Sequence, residues 1–414
     1  EKYMSELEKV FERIDSYRDD VIKLQGDLTS KTALGPDNEG SGEHEKIAFI
    51  KDLLKAFDPD LLEEIKAPDE RARDGYRPSL VAGWCDTQGE SSVWILSHAD
   101  IVPPGDLSLW ESDPYQIKVE GDRIFGRGVE DNQHGFVSSY LALKAVLGLN
   151  RGARRRICLA IVADEETGSK YGLQYVLQHH KDLFKKNDLI VVPDAGNKEG
   201  TMIEVAEKSM LWIRFIVKGK QCHASTPEKG KNSLFGAASL IVALDQLKTR
   251  FNLSDDLFRP SVSTFEPTKM EANVPNVNTI PGRNVFYLDC RVLPNYRAEE
   301  ILAACEEISQ SVGKELGLEI QVETAHREDA AEPTSPDAPV VKALIQAIKK
   351  VTGKDASPMG IGGGTVAAFF RKAGLPAAVW STISNTAHQP NEYCLISDIL
   401  TDAKIFACLY LGEF

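Results

Sequence analysis

Apolar residues recur at helical spacing through Leu7, Val10, Phe11, Ile14 and Val21, which predicts a helix over about 2–25. Ile47, Ile50, Leu53, Leu54 and Phe57 predict a second helix over 44–57. The period then shortens, and strands are expected at roughly 79–85, 92–97 and 115–120. "NQHGFVSSYLALKAVLGL" reads as a helix, and "RICLAIVA" as a short strand apolar enough to be buried on both faces. A helix near 169–182 and another buried strand, "DLIVVP", follow. Strands alternating with helices predict an α/β fold: a mostly parallel sheet flanked by helices.

After about residue 208 the pattern changes. "MLWIRFIVKG" alternates like a half-exposed strand. A helix over 231–249, the strand "NVFYLDCRV", an acidic helix over 298–316 and the strand "LEIQVETA" come next. Units of this size form small open-faced sheets with helices on one side. Residues 209–329 therefore read as an inserted, smaller α+β domain, within a main domain of 1–208 and 330–414. "HREDAAEPTSPDAP" reads as the return linker. Helix 336–352, the run "GIGGGT", helix 365–373, strand "PAAVW" and a last helix from Ser397 resume the α/β character.

The length of 414 residues fits two domains, and 42% hydrophobic with 27% charged residues is ordinary for a globular enzyme. A net charge of −14 argues against nucleic acid as a partner, because phosphate neutralisation needs a concentrated basic patch. The tight basic run "RGARRR", Arg151–Arg156, reads as a solvated loop. No stretch approaches the roughly 20 apolar residues of a membrane span, so no membrane association is expected. The charged N-terminal segment has no apolar leader core, and the seven cysteines form no CxxC pair. Both point to a reducing, cytoplasmic setting.

The candidate chemistry lies at strand ends. In "WILSHADIVP" an apolar strand stops at His98 and Asp100, whose side chains point the same way along an extended chain. Imidazole is a common zinc ligand, and a carboxylate on its other nitrogen fixes its orientation. Asp131, in "GRGVEDNQHG", precedes a helix and on its own fits a cap. In "AIVADEETGS" a buried strand ends in Asp164, Glu165 and Glu166, which is costly unless cations neutralise them. "LIVVPDAG" ends at Asp194, and His388 in "SNTAHQPNEY" follows the strand "PAAVW". A doubly wound sheet brings its strand ends to one rim. There His98, Asp131, Glu166, Asp194 and His388 would suit two zinc-like ions, with cobalt or manganese as substitutes.

His98-Ala-Asp100, "GRGVED", "DEETGS", Asp194, "CHAS" around His223, and "HQPNEY" resemble, in order, a known family. It is the group of dinuclear zinc amidohydrolases and peptidases that includes acetylornithine deacetylase, succinyl-diaminopimelate desuccinylase, aminoacylase and glutamate carboxypeptidase. The resemblance implies a zinc exopeptidase-like fold whose insert serves as lid and dimerisation domain. It makes Asp131 the bridging carboxylate, with His98 and Asp194 completing one metal site and Glu166 and His388 the other. Asp100 would orient His98. Glu165 would be the general base toward water, passing its proton to the leaving amine. His223, which otherwise reads as a surface histidine in a turn, would stabilise the oxyanion, commonly from a partner subunit. Asn278, Arg291, Gly363, Gly364 and Thr365 resemble substrate-contacting positions. Arg291 fits either a clamp on a substrate carboxylate or a pair with an acid inside the small sheet. "GIGGGT" lacks the Lys-Ser/Thr of a phosphate loop.

The chain departs from the family in having Ser97 where Gly is frequent, His134 where Lys is common, and Thr365-Val366-Ala367 where an Asp often follows the glycines. His134 is expected behind the ligands or facing solvent. The resulting expectation is a homodimeric hydrolase of the amide bond in N-acyl amino acids. A dipeptidase or carboxypeptidase of the same family is the alternative. A non-catalytic protein with a decayed site would miss a ligand or the base, and none is missing.

Overall fold

A computed structural model of the chain describes residues 5–86, 91–149 and 153–414. Residues 2–4 of the first expected helix, and Arg151 and Gly152 of the basic run, lie outside the described residues. The chain forms two compact units. The first comprises Glu1–Val205, Thr334–Pro358 and Phe369–Phe414, and the second Ala206–Pro333 and Met359–Ala368. The glycine run was expected in the main domain, yet it clusters with the second unit.

Twelve strands make the two principal sheets. In chain order they are β1 (Leu61–Pro68), β2 (Tyr76–Trp84), β3 (Ser92–His98), β4 (Arg156–Val162), β5 (Leu189–Val192), β6 (Met202–Glu207), β7 (Ser209–Lys218), β8 (Thr264–Met270), β9 (Arg283–Val292), β10 (Glu319–Glu328), β11 (Ser357–Ile361) and β12 (Ala377–Val379). The eight-stranded sheet has the order β1-β2-β4-β3-β5-β12-β6-β11. Its four central strands, β4, β3, β5 and β12, pair in parallel, and β1 and β2 add antiparallel strands at one edge. β12 also pairs antiparallel with β6. β3 is buried at every position and β4 at all but Arg156, as expected of strands covered on both faces. Parallel register sets His98 opposite Val162, so the segments leaving β3, β4 and β5 emerge on one rim.

β1 was not foreseen. Its sequence, LLEEIKAP, is charged, and only Ile65 and Ala67 are buried, which suits an edge strand with one wet face. The expected first helix is two helices, Glu6–Asp15 and Arg18–Thr29. Tyr17 leaves helical geometry (φ −90°, ψ 19°), yet the apolar spacing runs straight through the break and hides it. Helix 169–182 shrinks to Leu173–His179, and the strand at 115–120 is Lys118–Glu120 of a small sheet with Arg123–Phe125 and Tyr393–Leu395. The final helix is Ile396–Leu411.

In the second unit, β7 to β10 form an antiparallel sheet of order β8-β9-β7-β10. Helices Ser233–Leu244 and Ala298–Leu316 cover one face. The core joins Phe215 and Phe286, stacked at 4.9 Å, to Leu240 and Ile301. Helix Ser233–Leu244 is capped by Asn232, and Gly236 leaves the space that the Leu318 side chain fills: a Cβ there would sit 2.2 Å from Leu318 Cδ1. Its other face leaves Leu234, Phe235 and Val242 exposed, Val242 at 75%.

Candidate metal centre

Five separate segments of the first unit converge at the rim. His98 ends β3, and Asp131 stands just before helix Gln133–Leu147. Glu165 and Glu166 open the short turn after β4. Asp194 follows β5, and His388 sits in the loop beyond β12. The Nε2 of His98 is 2.9 Å from Asp131 Oδ1 and 3.5 Å from Asp194 Oδ1. The Nε2 of His388 is 3.0 Å from Asp131 Oδ2 and 3.1 Å from Glu166 Oε2. The two oxygens of Asp131 thus face two different imidazoles. Three overlapping ligand triads result: His98–Asp131–Asp194, Asp131–Glu166–His388 and His98–Glu165–Glu166.

Without a cation this arrangement is electrostatically loaded. Burial disfavours charge on His98, but Asp194, Asp100 and Asp131 outweigh it and hold the imidazole well above its usual range. His388 is pulled up to about 10 by Asp131 and Glu166. Burial lifts Glu166 to about 7, and burial together with Asp194 lifts Glu165 well above an ordinary carboxylate. A buried cluster of carboxylates and imidazoles with open donor atoms is relieved by divalent cations. Nitrogen and oxygen donors without a thiolate fit zinc and its first-row neighbours.

The supports around these ligands differ in part from expectation. His98 Nδ1 lies 3.0 Å from the backbone oxygen of Asp100 and 3.4 Å from its carboxylate. That carboxylate instead accepts the backbone N–H groups of Glu165 and Glu166, both at 3.0 Å. Asp100 therefore orients His98 mainly through its main chain and fastens the acidic turn with its side chain. Asp164, the first acid of the triplet, is not a ligand. It adopts a left-handed backbone (φ 60°), accepts from Tyr171 N–H at 2.9 Å and from the Thr167 hydroxyl, and faces the buried Arg77 at 3.4 Å.

Several supporting residues escaped the sequence reading. Asn132, 1% exposed, accepts His98 N–H at 2.9 Å and donates to Pro193 O at 2.9 Å, tying three ligand segments together. Gly135 makes room for that join, since a Cβ there would sit 2.4 Å from Pro193 Cγ. Arg77, Glu43, Glu130 and Glu392 are buried ionisable side chains, and buried polar groups demand partners. Their one sequence signal is charge inside otherwise apolar or motif segments. His134 is buried and 2.9 Å from Asp402, whose carboxylate also accepts Thr382 N–H at 2.9 Å. It supports the segment after β12 and faces neither ligand nor solvent.

The remaining candidates lie in the second unit. His223 is exposed on a two-residue strand paired with Thr279–Ile280, and Ala224 N–H donates to Asn278 O at 2.8 Å. Its Nδ1 accepts Ser225 N–H at 3.1 Å, so the neutral ring carries its proton on Nε2 and presents a donor. The Arg291 fork is filled by Asp289, at 2.6 and 3.0 Å, and its Nη1 donates to Gly362 O at 3.0 Å. Thr365 N–H donates to Glu207 at 2.7 Å, beside Gly363 and Gly364.

A sequence model described as peptidase family M20/M25/M40 matches residues 94–411. The chain belongs to this M20 family. It is 39% identical over 411 residues to an uncharacterised metallohydrolase of Methanococcus maripaludis, covering 94% of this chain and 98% of that protein. It is 26% identical over 382 residues to the succinyl-diaminopimelate desuccinylase of Wolbachia pipientis, covering 92% and 90%. Among solved structures it resembles aminopeptidase PepT from Bacillus cereus, with a TM-score of 0.74, 20% identity and coverage of 96% and 98%. The M20 chain is thus a metal-dependent hydrolase with the fold of its family. Among the described residues no helix is long and apolar enough to cross a membrane.

Proposed function

We propose that this M20 chain is a two-zinc amidohydrolase that removes the acyl group from an N-acyl amino acid, as a desuccinylase or deacetylase does. The observation that carries the reading is Asp131, whose Oδ1 and Oδ2 serve separate imidazoles. A carboxylate so placed would be available to two ions. His98 and Asp194 complete one half, Glu166 and His388 the other. When bound, such an ion pair supplies Lewis acidity that activates water and polarises the scissile carbonyl.

The protein groups do the rest. Glu165 takes a proton from water and delivers it to the departing amine. Asp100 holds Glu165 and Glu166 in place through their backbone N–H groups. His223, from the same or a partner subunit, offers Nε2–H to the developing oxyanion, a contribution of about 3–4 kcal/mol. Asn278, Gly363, Gly364 and Thr365 are assigned to the substrate. For Arg291 to clamp a substrate carboxylate, that group has to share or displace Asp289.

A homodimer through the second unit is supported by the apolar outer face of helix Ser233–Leu244. A reducing, cytoplasmic setting is supported by seven free cysteines. The test is hydrolysis by zinc-reconstituted protein across succinyl-diaminopimelate, acetylornithine, other N-acyl amino acids and dipeptides. The N-acyl amino acids should be cleaved fastest, and a dipeptide leading the panel overturns the deacylase reading. Glu165→Ala should keep its metal and lose turnover; retained turnover removes Glu165 from its role.

A further inference from the structure

Two buried carboxylates outside the ligand set, Glu130 and Glu392, stand in a reciprocal relation to two of the ligands. Glu130 is 4% exposed and Glu392 fully buried. Glu130 precedes Asp131, yet its side chain reaches across to the other ligand's loop. It accepts the backbone N–H groups of Ser384 (2.7 Å), Thr386 and Ala387 (3.1 Å), and the Thr386 hydroxyl (3.2 Å). Glu392 follows His388, and its side chain reaches back to the loop of Asp131. It accepts the N–H groups of Gly128 (3.1 Å), Glu130 (2.9 Å) and Asp131 (3.0 Å), and pairs with Arg127 at 2.7 Å.

Each ligand's neighbour therefore grips the loop of the opposite ligand. The His388 loop needs such a grip. Asn385, His388 and Asn391 all adopt left-handed backbone, with φ of 60°, 62° and 57°. For a histidine above all that conformation is strained, and it persists only where the surroundings over-determine it. A carboxylate whose oxygens accept several backbone N–H groups at once is among the stronger fixings available.

We propose that Glu130 and Glu392 form a crossed clasp that holds the Asp131–Glu166–His388 half of the site in shape before any metal arrives, with Glu130 as the positioning residue for His388. The proposal rests on the assignment of Asp131 and His388 as ligands. Neither carboxylate belongs to the three candidate ligand triads. They act by sparing the ions the entropy of ordering two loops, and the loss of Glu130, which grips the His388 loop alone, falls on one of two binding events.

The test is calorimetric titration of metal-free protein with Zn2+. Wild type should bind two ions, and His388→Ala one. Glu130→Gln keeps one acceptor oxygen but turns an amide NH2 toward backbone donors. It should weaken one event about 10–100-fold and leave the other unchanged. Two events of wild-type affinity in Glu130→Gln, with His388→Ala behaving as expected, overturn the clasp. Two events retained in His388→Ala overturn the ligand assignment beneath it. Hydrogen exchange on metal-free wild type decides the matter even if the Glu130 variant does not fold. The amides of Thr386 and Ala387 should be protected without metal, and exchange at open-chain rates refutes preorganisation.

Discussion

Replacing Arg77 by methionine removes a guanidinium at 0% exposure while nearly keeping its volume. Nε lies 3.0 and 2.9 Å from the two oxygens of Glu43, Nη2 also bonds Glu43, and Nη1 is 3.4 Å from Asp164. Glu43 and Asp164 are themselves 0% and 1% exposed, so neither can turn to water. Breaking a buried pair from one side costs about 3–5 kcal/mol, because the abandoned charge stays buried. In a unit of this size each kcal/mol moves the melting temperature by about 2–4 °C, giving a fall of about 6–20 °C at pH 8. The pH dependence has a definite sign. Burial already raises Glu43 above the usual carboxylate range with Arg77 present, and loss of Arg77 raises it further. A folded state that binds a proton more tightly than the unfolded chain loses stability as pH rises. The deficit of Arg77→Met should therefore shrink at pH 5.5. Calorimetric melts of metal-free wild type and variant at both pH values measure this. A variant melting within about 2 °C of wild type at pH 8, or a deficit that widens on acidification, refutes the reasoning.

Metal-free protein should release protons as it takes up Zn2+ near pH 8. His388, pulled up to about 10 by Asp131 and Glu166, is protonated there and must lose that proton to bind. Titration heats in buffers of different ionisation enthalpy read the release, and affinity independent of pH between 6 and 9 contradicts it. His223→Ala should lower kcat by about 10²–10³-fold with metal content unchanged, and a smaller loss removes it from the oxyanion role. Val242→Glu, placed in the exposed apolar patch with Phe235, should convert a dimer to a monomer without lowering the melting point of the second unit. Sedimentation showing an unchanged dimer would move the interface elsewhere.

The parallel core was legible because β3, β4 and β5 are continuous apolar runs that end abruptly in chemistry. His98, Glu166 and Asp194 each sit just past such a run. Asp131 and His388 were legible only as members of the set, since either alone fits a cap or a loop. β1 was missed because edge strands keep their charges, and the break at Tyr17 because spacing continues across it. The work of the Asp100, Glu130 and Glu392 side chains was illegible for a different reason. A carboxylate's partners are backbone N–H groups far along the chain, and those carry no side-chain signature. For Arg291 the sequence left two readings open, and its fork is occupied by an acid of the same strand, Asp289, two residues away.

β12 occupies the slot between β5 and β6. A chain being synthesised has made both flanking strands long before residues 377–379 exist to join them. Meanwhile the insert is translated, and its own sheet, drawn wholly from Ser209–Glu328, has everything it requires to close first. The centre of the larger sheet waits as an open seam with unsatisfied main-chain edges, the situation most prone to pairing with the wrong neighbour. His388 arrives later still, so a metal ion held through it cannot help the nascent polypeptide to shut that seam. Products cut short after the insert should accumulate as insoluble, half-zipped intermediates that depend on chaperones.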